Sequence, residues 1–229
     1  MSEPRSATPS TRTRRVIVHI AASADGYIAG PEGDLEWLTS RPAPKGFYGM
    51  NAFEKTVDTK LLGRITYEVS LRLGARFDPK NPTYVFSRRP VPARVPSGVE
   101  FVSGGIAAFL ARLRERPGKD IWLMGGGDLI ASFLDAGAID EFVVSVVPVF
   151  LGDGVPLIAR RHRPVPLELL SVERFEDGLV QLRYRINASA RAPRPARPLP
   201  RTRSAGSSSA PSPPSGDPRR ASRRARRPR

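Results

Sequence analysis

The stretch from Ile121 to Gly137 most constrains the fold, because an apolar run passes directly into three glycines and then into an amphipathic helical pattern. Backbone without side chains at a helix N-terminus lets an anion approach closely, and the unpaired N–H groups and helix dipole there favour negative charge. The turn Gly125-Gly126-Gly127 is therefore a candidate site for a phosphorylated ligand. The alternative is that these glycines only form a tight turn between strand and helix.

The spacing of the glycines excludes two widespread nucleotide-binding motifs. The Rossmann fingerprint fails, since Ile130 stands where the third glycine belongs and the ribose-binding acid about 20 residues further on is missing. A P-loop is excluded because no Gly-Lys-Ser/Thr is present. A phosphate site at this turn therefore needs support from other segments.

The positive charge of the chain is concentrated at its ends. The formal net charge is +15, and residues 188–229 contain twelve arginines against one acid, whereas residues 16–187 are nearly neutral at +1. The composition of residues 1–14 and 188–229, rich in Pro, Ser, Ala or Arg, predicts disorder, and leaves one domain at residues 15–187. The Arg-rich tail is either a solvated extension or an electrostatic contact for nucleic acid or anionic membrane. No aromatic residue is interleaved there to stack on bases.

The composition also limits the chemistry. The chain has no cysteine, which excludes disulfides, thiolate zinc sites and cysteine nucleophiles. Its two histidines are His19 and His162, and His19 lies inside an apolar run where a packed core residue is the simpler interpretation. We therefore expect no metal site.

Two arginines, Arg14 and Arg15, precede an apolar run in the order of a twin-arginine export signal. The run is short, however, and leads into Asp25-Gly26 as a strand leads into a turn. No run approaches the roughly 18 apolar residues of a membrane span. We therefore expect a cytoplasmic protein.

Strand and helix patterns alternate along the chain and end in a hairpin. This order predicts an α/β fold with a mostly parallel central sheet and an antiparallel C-terminal hairpin. The turn Glu176-Asp-Gly178 marks the hairpin. The predicted strands are 16–22, 60–63, 83–87, 99–102, 121–124, 141–149, 167–174 and 180–186, and the predicted helical segments begin at Asp34, Ala52, Thr66 (as N-cap), Ile106 and Asp128.

Five segments occur together in one order: Ala22–Gly30, Leu62–Glu68, Val85–Arg88, Met124–Asp128 and Asp140–Gly154. In this order they resemble the dihydrofolate reductase-like superfamily. The Ser-x-Asp-Gly turn and the Pro-Val-Phe-Leu-Gly-x-Gly loop are most similar to the reductase domain of the bifunctional deaminase-reductase of riboflavin synthesis. The resemblance spans roughly residues 15–186 and implies a dihydrofolate reductase-like three-layer sandwich.

The resemblance implies NADPH as the cofactor. Arg64 would pair with the 2′-phosphate, for which a bidentate guanidinium suits well, and Ser87-Arg88 would form a second adenosine-phosphate clamp. The alternative for Arg64 is a surface salt bridge with Glu68, and the alternative for Asp128 is a helix cap. The cofactor contacts implied by the resemblance are Ala22, Ile28, Gly63, Arg64, Thr66, Ser87, Arg88, Gly125, Gly126, Gly127, Asp128 and Leu129.

Hydride transfer also needs a source of protons. Relatives that reduce folate carry a carboxylic acid at a position that corresponds here to Phe47-Tyr48, and no acid occurs between Arg41 and Ala52. Asp25 is the best remaining carboxylate, as a catalytic acid or a substrate contact. Its alternative role is a turn residue that bonds its own backbone.

The sequence thus predicts an NADPH-dependent reductase of a pyrimidine- or pterin-like substrate, resembling 5-amino-6-(5-phosphoribosylamino)uracil reductase. A folate reductase is disfavoured by the missing acid, and a non-catalytic nucleotide-binding module with a nucleic-acid-contacting tail is the third possibility. The resemblance also suggests a homodimer. Predicted substrate contacts are Asp25, Trp37, Tyr67, Pro148, Leu151 and Gly152, of which Trp37 and Tyr67 suit stacking on a flat ring or, equally, packing in the core.

Overall fold

The computed structural model describes residues 13–41, 44–160 and 164–187. The predictions of disorder for residues 1–14 and 188–229 fall almost wholly outside these ranges, as does His162. The described elements are β1 (Val16–Ser23), β2 (Tyr27–Ala29), α1 (Glu36–Thr39), α2 (Met50–Glu54), β3 (Val57–Gly63), α3 (Arg64–Arg72), β4 (Thr83–Phe86), β5 (Val99–Val102), α4 (Ile106–Arg114), β6 (Asp120–Gly125), α5 (Gly127–Asp135), β7 (Glu141–Val147), β8 (Val155–Pro156), β9 (Leu167–Arg174) and β10 (Val180–Ile186).

Eight strands form the central sheet in the order β5-β4-β3-β6-β1-β7-β10-β9. The pairs from β5 to β7 are parallel, while β10 pairs antiparallel with both β7 and β9. The predicted α/β class, mostly parallel sheet and antiparallel C-terminal hairpin are confirmed. The short strands β2 and β8 pair separately, outside the central sheet.

The sheet has a helix layer on each face, as the neighbouring residues Leu61 and Leu62 illustrate. Side chains of successive strand residues point to opposite faces. Leu61 packs in a large cluster with residues of α4 and α5, such as Phe109 and Phe133, whereas Leu62 packs in a smaller cluster with Tyr67 of α3. The predicted three-layer sandwich follows from this division.

Helix α3 begins earlier than its sequence suggested. The prediction of Thr66 as its N-cap is wrong, because the helix starts at Arg64 and its N-cap is Gly63, in extended backbone with φ −76° and ψ 159°. Thr66 therefore lies inside the first turn. Strand β3 begins at the buried Val57, three residues before the predicted strand 60–63.

The two arginines before β1 belong to the folded domain. Arg14 is buried and forms a salt bridge with Asp58. Arg15 forms salt bridges with the buried acids Asp120 and Glu141. Burial of a charge is tolerated when it is paired and hydrogen-bonded, as these are. Among the described residues, no helix has the length and apolar character that crossing a membrane requires.

Candidate active site

A cavity of about 1300 Å³ runs along the carboxyl edge of the parallel strands. Its lining includes residues that end or follow β3, β4, β5 and β6, and residues that begin α3 and α5. In open α/β sheets ligands bind outside the carboxyl ends of the strands, because the loops and helix N-termini converge there. Of the predicted cofactor contacts, the cavity is lined by Ile28, Gly63, Arg64, Thr66, Ser87, Arg88, Gly126, Gly127, Asp128 and Leu129.

Two helix N-termini open into one end of the cavity, which we call the basic end. Helix α5 has Gly126 as its N-cap and α3 has Gly63, and neither has a side-chain cap. The first N–H groups of such helices lack intrahelical partners and attract anions. A Cβ atom at Gly126 would lie 3.4 Å from Thr66 Oγ1 and 3.7 Å from Ile28 Cδ1, so the glycine leaves open a space that those side chains border.

The neighbouring glycines have different reasons to be glycine. Gly125 does not line the cavity: it is buried, has φ +111°, and a Cβ there would meet Ile20 Cδ1 at 3.2 Å. Gly127 lines the cavity, but a Cβ on it would lie 2.3 Å from the carbonyl oxygen of Pro156. Backbone geometry therefore requires glycine at Gly125 and close packing requires it at Gly127, whereas a Cβ at Gly126 would meet nothing closer than 3.4 Å.

Arg64 lies at the basic end with its guanidinium already in contact with protein groups. Its Nε donates to Glu68 Oε1 at 2.6 Å and its Nη1 donates to the Pro90 carbonyl at 2.9 Å. The guanidinium also lies over the Phe101 ring, 5.3 Å from the centroid. The salt bridge that was the alternative role is thus present, and it also orients a cation that lines the cavity.

The segment after β4 supplies further positive charge. Arg88 and Arg89 line the cavity, and Ser87 Oγ accepts a hydrogen bond from the Arg89 amide at 3.0 Å. Asp128 does not cap α5, so that alternative is wrong; it is exposed and lines the cavity in the first turn.

The prediction for Ala22 is wrong by one residue. Ala22 is buried in the core cluster, whereas Ala21 and Ile20 line the cavity. Ile28 of β2 lies in the lining as expected. The apolar surface at this point therefore comes from β1 and β2 together.

The structure places Asp25, the predicted catalytic acid and substrate contact, outside the cavity lining, with its carboxylate bonded to protein groups. Its carboxylate accepts hydrogen bonds from Ser23 Oγ at 2.6 Å, from the Leu151 amide at 3.0 Å and from the Gly152 amide at 2.7 Å. The Ser23 hydroxyl first, and then these amides, lower the pKa of Asp25. Asp25 is exposed and does not line the cavity. It ties two loops together, and the alternative role of a turn residue is closer to the observed one.

The other predicted substrate contacts also lie outside the cavity lining. Tyr67 is 2% exposed and packs against Phe77 and Phe101, because its face of α3 is turned to the sheet. Trp37 is half-buried, and Leu35 and Leu38 of the same short segment line the cavity in its place. Pro148, Leu151 and Gly152 belong to the loop between β7 and β8, and none of them lines the cavity.

The end of the cavity away from α5, which we call the apolar end, is formed by residues that sequence reasoning did not select. These are mostly apolar or aromatic, with a few polar groups: His19, Leu35, Leu38, Arg41, Phe47, Tyr48, Met50, Trp122, Ser145 and Leu179. The signal available in the sequence was the aromatic pair at the position of the family's acid. Its partner groups are distant in the chain and could not be assigned from spacing.

His19 is a core residue, as expected, and also lines the cavity. Burial, with a smaller contribution from Arg183, lowers the pKa of His19 to about 4, so the ring is neutral at physiological pH. Its Nε2 lies 3.3 Å from Gln181 Nε2. The ring also packs edge-on against Phe53.

No group of three or more His, Asp or Glu side chains among the described residues could hold a metal ion. The site instead combines a basic end formed by backbone N–H groups and arginines with an apolar end formed by aromatic and aliphatic side chains. This arrangement can bind an elongated ligand that carries phosphate at one end and an uncharged ring at the other.

Comparison with known proteins identifies the family of the chain. The sequence model of the RibD C-terminal domain family matches residues 14–181. The uncharacterized protein YwjB of Bacillus subtilis is 38% identical over 172 residues, which cover 75% of this chain and 97% of YwjB. A crystal structure from Shewanella sp. PV-4, whose name links it to riboflavin biosynthesis, is 32% identical with a TM-score of 0.68, covering 76% of this chain and 99% of that one.

Two more distant structures share the fold. One is the deaminase/5-amino-6-(5-phosphoribosylamino)uracil reductase of Thermotoga maritima, with a TM-score of 0.58 and 20% identity over 77% of this chain and 57% of that one. The other is dihydrofolate reductase from Enterococcus faecalis complexed with NADP(H), with a TM-score of 0.55 and 20% identity over 76% and 96%. The predicted dihydrofolate reductase-like fold is confirmed, and the chain belongs to the RibD C-terminal domain family.

Proposed function

We propose that the protein is an NADPH-dependent reductase of a pyrimidine- or pterin-like substrate, resembling 5-amino-6-(5-phosphoribosylamino)uracil reductase. One observation carries the proposal: two helix N-termini without side-chain caps and the cations Arg64 and Arg88 line the basic end of a cavity whose other end is apolar. The family match and the name of the Thermotoga relative support the same activity.

The residues of the basic end fit the charged part of NADPH. The space beside Gly126 and Thr66 would hold the diphosphate against the α5 N-terminus. Arg64 would hold the 2′-phosphate, with Glu68 and the Pro90 carbonyl fixing the orientation of its guanidinium. NADPH supplies a hydride when bound, and the protein's part is to position and enclose the two reactants.

The residues of the apolar end fit a flat ring. Trp122 of the apolar end, together with Ile20, Ala21 and Ile28 of the cavity lining, would exclude water from the place where the nicotinamide and the substrate meet. The neutral His19 and Ser145 add polar groups without adding net charge at physiological pH. These residues therefore suit the uncharged ring of a pyrimidine- or pterin-like substrate.

The proposed activity is tested by measuring the decrease in NADPH absorbance in the presence of each candidate substrate. The candidates are riboflavin-pathway pyrimidines, dihydrofolate and dihydropterins. We expect turnover with one member of the panel. Deletion of residues 188–229 separates an enzyme from a nucleic-acid-binding module, because an enzyme keeps NADPH binding and turnover without the tail. Loss of the protein's main interaction, a contact of the tail with nucleic acid, on this deletion would favour the module.

We also propose that the protein forms a homodimer through the β9–β10 hairpin. Strand β9 is the edge of the sheet and carries the exposed apolar residues Leu167, Leu169 and Val172, which are 46%, 54% and 58% exposed. Exposed apolar edge strands favour pairing with another chain. Sedimentation of the protein and of Leu169→Glu tests this proposal: we expect a dimer that the substitution dissociates, and a wild-type monomer would contradict it.

A further inference from the structure

The apolar end of the cavity depends on a segment with unusual backbone. The wall segment, residues 44–50, contributes Phe47, Tyr48 and Met50 to the lining, and Arg41 lines the cavity just before it. Phe47 and Tyr48 have φ of 51° and 53°, in the left-handed region. This conformation is unfavourable for residues that carry a Cβ atom, and it persists when surrounding contacts hold it in place.

The contacts that hold the wall segment come from the β9–β10 hairpin. Tyr48 Oη donates to Asp177 Oδ2 at 2.6 Å, and its ring packs edge-on against Phe175, with 5.1 Å between centroids. The Tyr48 carbonyl accepts a hydrogen bond from Gln181 Nε2 at 3.2 Å. Arg41 Nη2 donates to Asp177 Oδ2 at 2.6 Å and to the Asp177 carbonyl at 3.1 Å. One carboxylate oxygen therefore joins two residues of the cavity lining to the hairpin turn.

We propose that Asp177 is a positioning residue that fixes Arg41 and Tyr48 and thereby sets the affinity of the apolar end for its substrate. The inference rests on the proposed function, because it takes the apolar end to be the substrate site. Asp177 itself does not line the cavity and acts through the two residues that it holds.

The hydrogen bond between Tyr48 and Asp177 persists over a wide pH range, because neither group changes its ionisation state there. Hydrogen bonds from Tyr48 and then Arg41 lower the pKa of Asp177 to about 2. Burial, and then the hydrogen bond to Asp177, raise the pKa of Tyr48, which keeps its proton. The carboxylate and the phenol therefore stay in the bonded ionisation states throughout the pH range of an enzyme assay.

The substitution Asp177→Asn isolates this link from the turn itself. Asp177 Oδ1 accepts a hydrogen bond from the Leu179 amide at 3.2 Å within the hairpin, and an asparagine carbonyl can keep that bond. The amide nitrogen of asparagine would face the donors of Arg41 and Tyr48 and cannot accept from them. Tyr48→Phe is the second variant, since it removes the hydroxyl and keeps the ring against Phe175. Glu176→Gln, a change at the exposed neighbouring acid of the same turn, is the matched control.

Hydrogen exchange in the free protein tests the positioning without any ligand. The amides of Met50, Asn51 and Ala52 bond to carbonyls within or next to the wall segment. We expect the exchange rates of these amides to rise by roughly tenfold in Asp177→Asn, because that variant loses charge-assisted hydrogen bonds. The rates should be unchanged in Glu176→Gln. Unchanged exchange in both Asp177→Asn and Tyr48→Phe would overturn the inference.

Steady-state kinetics with 5-amino-6-(5-phosphoribosylamino)uracil and NADPH tests the consequence for substrate. We expect KM for the pyrimidine to rise by roughly five- to tenfold in Asp177→Asn, with kcat and the Kd for NADPH within about twofold. A fall in kcat at unchanged KM would overturn the role in substrate affinity. Wild-type protein that does not bind NADPH would contradict the proposed function instead, and hydrogen exchange would still decide the positioning.

Discussion

The amide of Gly152 donates a hydrogen bond to the carboxylate of Asp25 at 2.7 Å and joins two loops that lie 127 residues apart in the chain. The Leu151 amide donates to the same carboxylate, so both amides depend on one charged acceptor. The Asp25 carboxylate therefore joins the loop after β7 to the turn after β1.

Asp25→Asn should consequently lower stability more than activity. We expect kcat/KM to fall by less than about tenfold, well below the 10²–10⁴-fold effect of losing a general acid. Because folding lowers the pKa of Asp25 below 3.8, its contribution to stability is present above that pH and is lost as the pH falls through the lowered pKa. The difference in Tm between wild type and Asp25→Asn should therefore shrink in acid.

The exposed acid Glu32 provides the control for this experiment. Glu32→Gln should leave Tm within about 1 °C of wild type, as is usual for surface substitutions. A loss of activity near 10³-fold in Asp25→Asn, without loss of Tm, would restore the catalytic role.

Arg64→Ala should discriminate between the two nicotinamide cofactors. Loss of a charge-assisted contact to the 2′-phosphate should weaken NADPH by roughly 10- to 100-fold, while NADH changes by about twofold. Fluorescence titration of both cofactors measures the two effects. Arg72→Ala, at the exposed C-terminal end of the same helix, should leave both affinities unchanged. Equal losses for both cofactors in Arg64→Ala would exclude the 2′-phosphate role.

Gly126→Val should block cofactor binding without unfolding the protein. Gly126 has φ −76° and ψ −166°, which valine adopts readily, and a Cβ there makes only ordinary contacts. The added methyl groups would occupy the space assigned to the diphosphate. Circular dichroism checks the fold and NADPH titration measures binding. An unchanged titration curve in the folded variant would reject this location for the diphosphate.

Gly127→Ala is the informative contrast. Its Cβ would lie 2.3 Å from the Pro156 carbonyl oxygen, so this variant should lose stability even though the added group is smaller than valine. The two neighbouring glycines therefore separate an effect on the ligand from an effect on packing.

His19 should not titrate between pH 5 and pH 8. Its pKa of about 4 lies below the ordinary value of 6.5 because the ring is buried. As the pH falls, His19 takes up a proton in the unfolded chain before it does so in the folded protein. The free energy of unfolding is therefore unaffected by protonation of this residue above pH 6.5 and decreases progressively as the pH falls toward 4. The loss amounts to about 3 kcal/mol. The chemical shift of the His19 Hε1 proton measures the pKa, and a midpoint near 6.5 would contradict the burial argument.

Local patterns in the sequence were sufficient for the C-terminal hairpin. Strands 167–174 and 180–186 have the predicted bounds, because alternating apolar residues flank a turn with Gly178 at φ +85°. The start of α3 was missed because Gly63 caps the helix through its backbone alone, without the side-chain signal that Thr66 offered.

Long-range contacts explain most of the errors at the site. The Leu151 and Gly152 amides that bond to Asp25 lie more than 120 residues away, and the partners of Tyr48 lie on the hairpin. No local pattern in the sequence could identify these long-range contacts. Trp37 and Tyr67 were predicted as substrate contacts because they are aromatic. Whether a residue lines the cavity depends instead on the direction in which its helix or strand points the side chain. Tyr67 faces the sheet and is buried, while Trp122 of β6 lines the cavity.

Fluorescence titration of the wild-type protein with NADPH and NADH tests the central claim most directly. The account predicts a saturable change in the fluorescence of NADPH with Kd in the micromolar range, and binding of NADH at least about tenfold weaker. No change in NADPH fluorescence at concentrations well above micromolar would contradict it.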